Sequence, residues 1–173
     1  MTAIVQWNIR GYRSNYHHLR TLIEDTNPCC LCLQETCLPN QPPYTPRNFQ
    51  MYNVNSPNSG PHGGSALVIR NEIAHSLLPI NTELLAVAAR LQLNTNLTIC
   101  SLYLPPNNQI DRNDLQNLIT QLPEPFIIMG DLNARSPLWG DNTTNRNGRT
   151  VEQLLENSTI DIANTNNPTH YHI

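Results

Sequence analysis

Phe126-Ile-Ile-Met-Gly-Asp-Leu-Asn133 is a short apolar run that breaks at a glycine and delivers Asp131 and Asn133 side by side. Consecutive bulky apolar residues from Phe126 to Met129 predict a buried strand. A period of two along that strand sends residues 131 and 133 to one face if the extended backbone persists past Gly130. A carboxylate and a carboxamide then stand together at the mouth of a sheet. One accepts a proton and the other donates hydrogen bonds to an anionic oxygen, the pairing that phosphodiester hydrolysis requires. The same pattern also suits a plain turn in which Asp and Asn cap the backbone.

Working outward, Ala3-Ile-Val-Gln-Trp-Asn-Ile9 reads as a strand ending near Asn8, with Gly11 as the break and Ser14 as the expected N-cap of a helix. Leu19, Leu22 and Ile23 give that helix an apolar face up to Asn27-Pro28. A strand from Cys29 to Leu33 follows and ends at Gln34-Glu35-Thr36. Residues 36–63 are rich in Pro, Asn and Gly and predict an irregular passage with a short strand around Met51 to Val54. Ser65 to Arg70, Leu84 to Leu93 and Leu97 to Leu104 read as strands, the last two forming a hairpin through Asn94-Thr-Asn96. Asp111 to Leu122 predicts a helix with Leu115, Leu118, Ile119 and Leu122 on one face. After the 126–129 strand come a polar loop over 133–147, a helix from about Arg149 to Glu156, and a short strand from Asp161 to Ala163. Mixed strands and helices with hairpins in the middle imply an α/β sandwich and not a purely parallel sheet.

A chain of 173 residues favours one domain with a core of its own. Its net charge is −3, and all ten basic residues are Arg. No global electrostatic pull toward DNA or a membrane follows, so nucleic-acid binding needs a local Arg cluster or a metal ion. Without a basic region leading into a hydrophobic segment near Met1, or an apolar run of about 20 residues, the expectation is a soluble, intracellular protein. Cys29, Cys30, Cys32 and Cys37 lack a second Cys or His pair at zinc-finger spacing, and Cys29-Cys-Leu-Cys-Leu33 reads as a buried strand with reduced thiols.

Asn8, Glu35, Tyr103 and Asp131 all fall at the ends of apolar strands. Taken singly, Asn8 caps a turn, Glu35 is a solvated strand end, and Tyr103 packs with its hydroxyl wet. Ligands bind outside strand ends in open sheets, so four such termini can converge on one site.

In order, Trp7-Asn8-Ile9, Gln34-Glu35-Thr36, Tyr103-Leu-Pro-Pro106 and Gly130-Asp131-Leu-Asn133 resemble the endonuclease/exonuclease/phosphatase superfamily, and within it the apurinic-type endonuclease domain of non-LTR (LINE-type) retrotransposons. His62-Gly-Gly-Ser-Ala-Leu-Val-Ile69, Asn133-Ala-Arg-Ser-Pro-Leu-Trp-Gly140 and Asn167-Pro-Thr-His-Tyr171 carry the likeness across the chain. The resemblance implies a four-layered α/β sandwich, with two mixed, largely antiparallel sheets packed face to face and helices outside. It implies a phosphodiesterase that uses Mg²⁺ or Mn²⁺, acts on DNA in the nucleus and shares a polyprotein with a reverse transcriptase. It makes Glu35 a metal ligand, Asn8 a holder of the metal or phosphate, and Tyr103 a phosphate donor. Asp131 orients or deprotonates the attacking water, and Asn133 supports it. Arg135, Arg146 and Arg149, in or beside the loop after the motif, are candidates for phosphate contact, with solvated charge as the plain alternative.

The family's pattern continues with a further Asp that orients a His and with a closing Ser-Asp-His motif. Neither occurs in this sequence, and His170 and His172 stand in other contexts. The expectation is a single 1–173 domain that is C-terminally incomplete, with the last strands missing and activity weak or absent. Two other readings stand beside it: a non-catalytic retroelement remnant or DNA-binding module, and a superfamily phosphatase acting on a small phosphoester.

Overall fold

The structure, a computed structural model, describes residues 3–38, 44–55 and 63–164. Eight strands and three helices run in the order β1 (Ile4–Asn8), α1 (Tyr12–Thr26), β2 (Cys30–Gln34), β3 (Phe49–Val54), β4 (Ser65–Arg70), β5 (His75–Leu77), β6 (Leu85–Gln92), β7 (Asn96–Tyr103), α2 (Arg112–Thr120), β8 (Phe126–Asp131) and α3 (Arg146–Glu156). They form two four-stranded sheets of order β1-β2-β4-β3 and β5-β6-β7-β8. β1 pairs with β2, and β7 with β8, in parallel; the remaining pairs are antiparallel.

Strand alternation divides the apolar residues among three cores. Leu31, Leu33, Ala66 and Val68 turn outward onto Leu19 and Tyr12 of α1. Cys30, Cys32, Leu67, Ile69, Val87, Ala89 and Ile99 fill the space between the sheets. Ala86, Ala88, Cys100 and Leu102 face Leu115 and Leu118 of α2 and Leu154 of α3. Helix, sheet, sheet, helix is the four-layered sandwich that the resemblance implied. The cysteines are free thiols, and burial pushes Cys29 up to about 11 and Cys100 up to about 12, so they act as small apolar residues.

Some local expectations need correction. Ser14 does not cap α1, which starts at Tyr12 after Gly11. Carbonyls of the neighbouring loop serve its first donors: Gly11 N–H donates to Glu35 O at 2.7 Å and Tyr12 N–H to Thr36 O at 2.9 Å, so no side-chain cap is needed. α3 begins three residues before Arg149, because the Asn145 side chain accepts from Gly148 N–H at 2.7 Å and starts the helix earlier. Residues 161–163 are irregular and exposed, since no described strand offers them a ladder. β5 and a 3₁₀ turn at Pro137–Trp139 had no clear periodic signal. His62 and residues 165–173, including His170 and His172, lie outside the described residues.

Candidate active site

Parallel pairing of β1 with β2 sets Asn8 opposite Gln34, and parallel pairing of β7 with β8 sets Tyr103 opposite Asp131. All four strands therefore end at the same rim. Glu35 follows β2 with φ +50°, in the left-handed region that non-glycine residues rarely occupy. Ile9 N–H donates to Gln34 O at 3.0 Å and Gly11 N–H to Glu35 O at 2.7 Å, which zips the β1 and β2 exits together and holds that turn.

The two sheets meet at Asn8. Its Nδ2 donates to Glu35 Oε1 at 2.7 Å and to Asp131 Oδ2 at 2.6 Å, so one amide nitrogen joins Glu35 to Asp131, a residue 123 positions from Asn8 in the chain. Only nitrogen can face two carboxylates at that range, which turns Oδ1 the other way; Oδ1 is buried and has no hydrogen-bond partner among the described residues. Two carboxylates gathered on one donor form an oxygen set suited to a hard divalent cation. Mg²⁺ is commonly held by one or two carboxylates plus substrate phosphate. No group of three or more His, Cys, Asp or Glu that could hold a metal ion occurs among the described residues.

Tyr103 is buried, 5% exposed, and its ring packs on the glycines that lead into β4: a Cβ on Gly63 would lie 3.2 Å from Tyr103 Cε1. Burial, then the charges of Glu35 and Asp131, pushes the phenol up to about 12. It stays protonated across the neutral range and remains a donor. Difference titration against Tyr103→Phe should place the missing ionisation near pH 12 instead of the usual 10. Because the folded value is the higher one, the protonated phenol contributes stability that is complete below about pH 10 and is lost as pH rises toward 12. A Tyr103 ionisation centred at 10 would mean that neither burial nor the carboxylates raise it.

Asn133 joins the site by a different route from the one its spacing suggested. β8 ends at Asp131 and Asn133 has φ +46°, so the pair is not held by continued strand periodicity. Asn133 N–H donates to Asp131 Oδ1 at 3.1 Å, an Asx turn, and its Nδ2 donates to Leu104 O at 2.8 Å. Asn145 Nδ2 in turn donates to Asn133 O at 2.9 Å, tying α3 to the motif.

The arginines are more dispersed. Arg135 is exposed and 3.9 Å from Asp141, a loose surface pair. Arg146 borders a cavity of about 250 Å³ with Pro106, Asn107, Asn108 and Asn145, and Arg149 is exposed on α3. A larger hollow of about 490 Å³ lies beside α1, and none of the candidate residues lines it. Sequence reasoning missed Leu104 and Asn145, which act through backbone and cap and leave no periodic trace. It also missed the buried Gln34, Ser65 and Ser101 beneath the site, although Ser101 stands one strand period from Tyr103.

Residues 97–173 match the family described as Endonuclease-reverse transcriptase. The chain is 29% identical over 170 residues to the RNA-directed DNA polymerase from mobile element jockey of Drosophila melanogaster, covering 95% of this chain and 18% of that protein. It is also 29% identical over 175 residues to the probable RNA-directed DNA polymerase from transposon X-element of the same species, covering 97% and 19%. The chain thus spans less than a fifth of these curated relatives. Among solved structures, the endonuclease domain of TRAS1, a telomere-specific non-LTR retrotransposon, superposes with a TM-score of 0.77 at 18% identity, covering 93% of this chain and 74% of that one. AP endonuclease LMAP from Leishmania major gives 0.67 at 16%, covering 88% and 65%. Two facing sheets with outer helices, and strand ends meeting at one rim, define an endonuclease/exonuclease/phosphatase fold. The chain has that fold, and it is similar in sequence to retrotransposon polyproteins that carry a reverse transcriptase and in structure to a non-LTR retrotransposon endonuclease domain. No described helix is long and apolar enough to cross a membrane.

Proposed function

We propose that the domain hydrolyses a phosphodiester of DNA with the help of a divalent metal, nicking target DNA for retrotransposition from within a polyprotein that also carries a reverse transcriptase. The observation that carries this reading is the Asn8 bridge between Glu35 and Asp131, which gathers two carboxylates from separate sheets at one rim. Glu35, with Asn8 beside it, would hold the metal, Mg²⁺ or Mn²⁺. When bound, the metal offsets negative charge on the phosphoryl oxygens and the repulsion between phosphate and the two carboxylates.

Asp131 accepts a proton from water, whose oxygen bonds to phosphorus as the bond to the leaving oxygen breaks; that oxygen then takes a proton from solvent. The Asx turn keeps Asp131 Oδ1 oriented by Asn133 N–H, and the protonated Tyr103 phenol contributes a fixed donor to the phosphate oxygens, while the Asn8 amide spends both of its hydrogens holding Glu35 and Asp131 together. Arg135, Arg146 and Arg149 contact backbone phosphates on either side, compensating locally for a net charge of −3. Nuclear action follows from the DNA target.

A polypeptide of these 173 residues, which holds no Ser-Asp-His motif, nicks weakly on its own. Supercoiled plasmid registers a single cut per molecule and reads low rates. Nicking is expected with Mg²⁺ or Mn²⁺ and none with EDTA, at a rate well below that of family domains carrying Ser-Asp-His. Nicking as fast as theirs would show that the residues present suffice. Faster turnover of a phosphomonoester than of plasmid would replace DNA with a small phosphoester as the substrate.

A further inference from the structure

Directly beneath the candidate site, the space between the sheets is polar and closed to solvent. Gln34, Ser65 and Ser101 are each 0% exposed, in a layer otherwise filled by Cys32, Leu67 and Ile99. Gln34 Nε2 donates to Ser101 Oγ at 3.0 Å, crossing from one sheet to the other. Ser65 Oγ and Ser101 Oγ are 2.7 Å apart, a second crossing, and Gln6 Nε2 donates to Gln34 Oε1 at 2.6 Å.

Each member lies one step from the rim. Gln34 precedes Glu35, Ser101 is one strand period before Tyr103, Gln6 is one period before Asn8, and Ser101 pairs with Met129, one period before Asp131. We propose that Gln34, Ser65 and Ser101 are positioning residues that fix the spacing and register of the two sheets, and thereby the approach of Glu35 to Asp131 across Asn8. The inference rests on the reading that these rim residues perform the chemistry.

The physical reason is directional. Apolar side chains between sheets attract without a preferred offset, whereas hydrogen bonds across the gap hold at one distance and one angle. Stability alone does not call for them, because replacing a buried polar group together with its partners by apolar groups of like shape is often neutral or stabilising. What such a replacement gives up is register, and displacements of about 1 Å can cost about a hundredfold in rate.

The test is the triple variant Gln34→Met, Ser65→Ala, Ser101→Ala, which removes the whole buried set and leaves the exposed Gln6 hydrated. We expect it to melt at or above the wild-type temperature. Its single-turnover nicking constant should fall about tenfold or more, with the half-saturating DNA concentration changed less than about twofold. In its crystal structure, Asn8 Nδ2 should no longer reach both carboxylates. Ser101→Thr, which keeps the hydroxyl, should nick at the wild-type rate. An Asn8 bridge intact in the triple variant overturns the proposal, whatever the rate. If the triple variant does not fold, the same bridge is read in Ser101→Ala at low temperature. Absence of metal-dependent nicking in the wild type would sink the proposed activity, while the bridge in the variant would still decide the positioning.

Discussion

Asp131→Ala should lower the plasmid-nicking rate by about 10³-fold while leaving the melting temperature nearly unchanged, the range expected when a positioned general base is removed. Asp131 Oδ2 accepts from Asn8 Nδ2 at 2.6 Å and Oδ1 from Asn133 N–H at 3.1 Å, so both oxygens are oriented before substrate arrives. Truncation removes the proton acceptor and also the anchor that draws β1 toward β8. The Asn8 amide keeps its contact with Glu35 at 2.7 Å, which is why the fold should tolerate the loss. Single-turnover nicking with Mg²⁺, alongside thermal melting, measures both. A variant that nicks within threefold of wild type would remove Asp131 from the chemistry and leave it as the cap of its turn.

Gly130→Ala should destabilise the protein by more than about 3 kcal/mol and lower its melting temperature by about 6–12 °C. An added Cβ would stand 1.8 Å from Leu102 O, a backbone carbonyl of the paired strand β7 that no rotamer change can move aside. The β7–β8 ladder would have to open at the pair next to Tyr103 and Asp131. Activity should therefore fall with stability, in contrast to Asp131→Ala. Circular dichroism melts of the two variants separate these cases. A Gly130→Ala protein that melts like the wild type would mean the ladder yields here without cost, and the glycine would then need another explanation.

The glycine also shows how far local reading reaches. In the sequence it is the residue that breaks an apolar run ahead of Asp131; in the structure it lies within β8, where only hydrogen fits against the neighbouring strand. Similarly, Asp-x-Asn offered two readings, a shared strand face or a capping turn, and the turn is the one realised, with Asn133 bent into the left-handed region. Ser14 looked like a cap because Ser commonly caps helices, but a loop distant in sequence supplied the carbonyls instead. The short 161–163 run, Asp-Ile-Ala, read as a strand and has no ladder to join among the described residues. In each case the outcome depended on a neighbour that local sequence does not contain.

From sequence alone came the order of the main elements, the buried character of the 29–33 and 126–129 strands, the mixed α/β character, and the candidate rim residues Asn8, Glu35, Tyr103, Asp131 and Asn133. These rest on period and polarity, which a chain carries locally. Only the tertiary structure decided that one Asn8 nitrogen would hold two carboxylates at 2.6 and 2.7 Å, and that Gln34, Ser65 and Ser101 would lock the sheets beneath them. Distances between strands that never pair with each other are set by how two layers of side chains pack, and that information exists only once the layers meet.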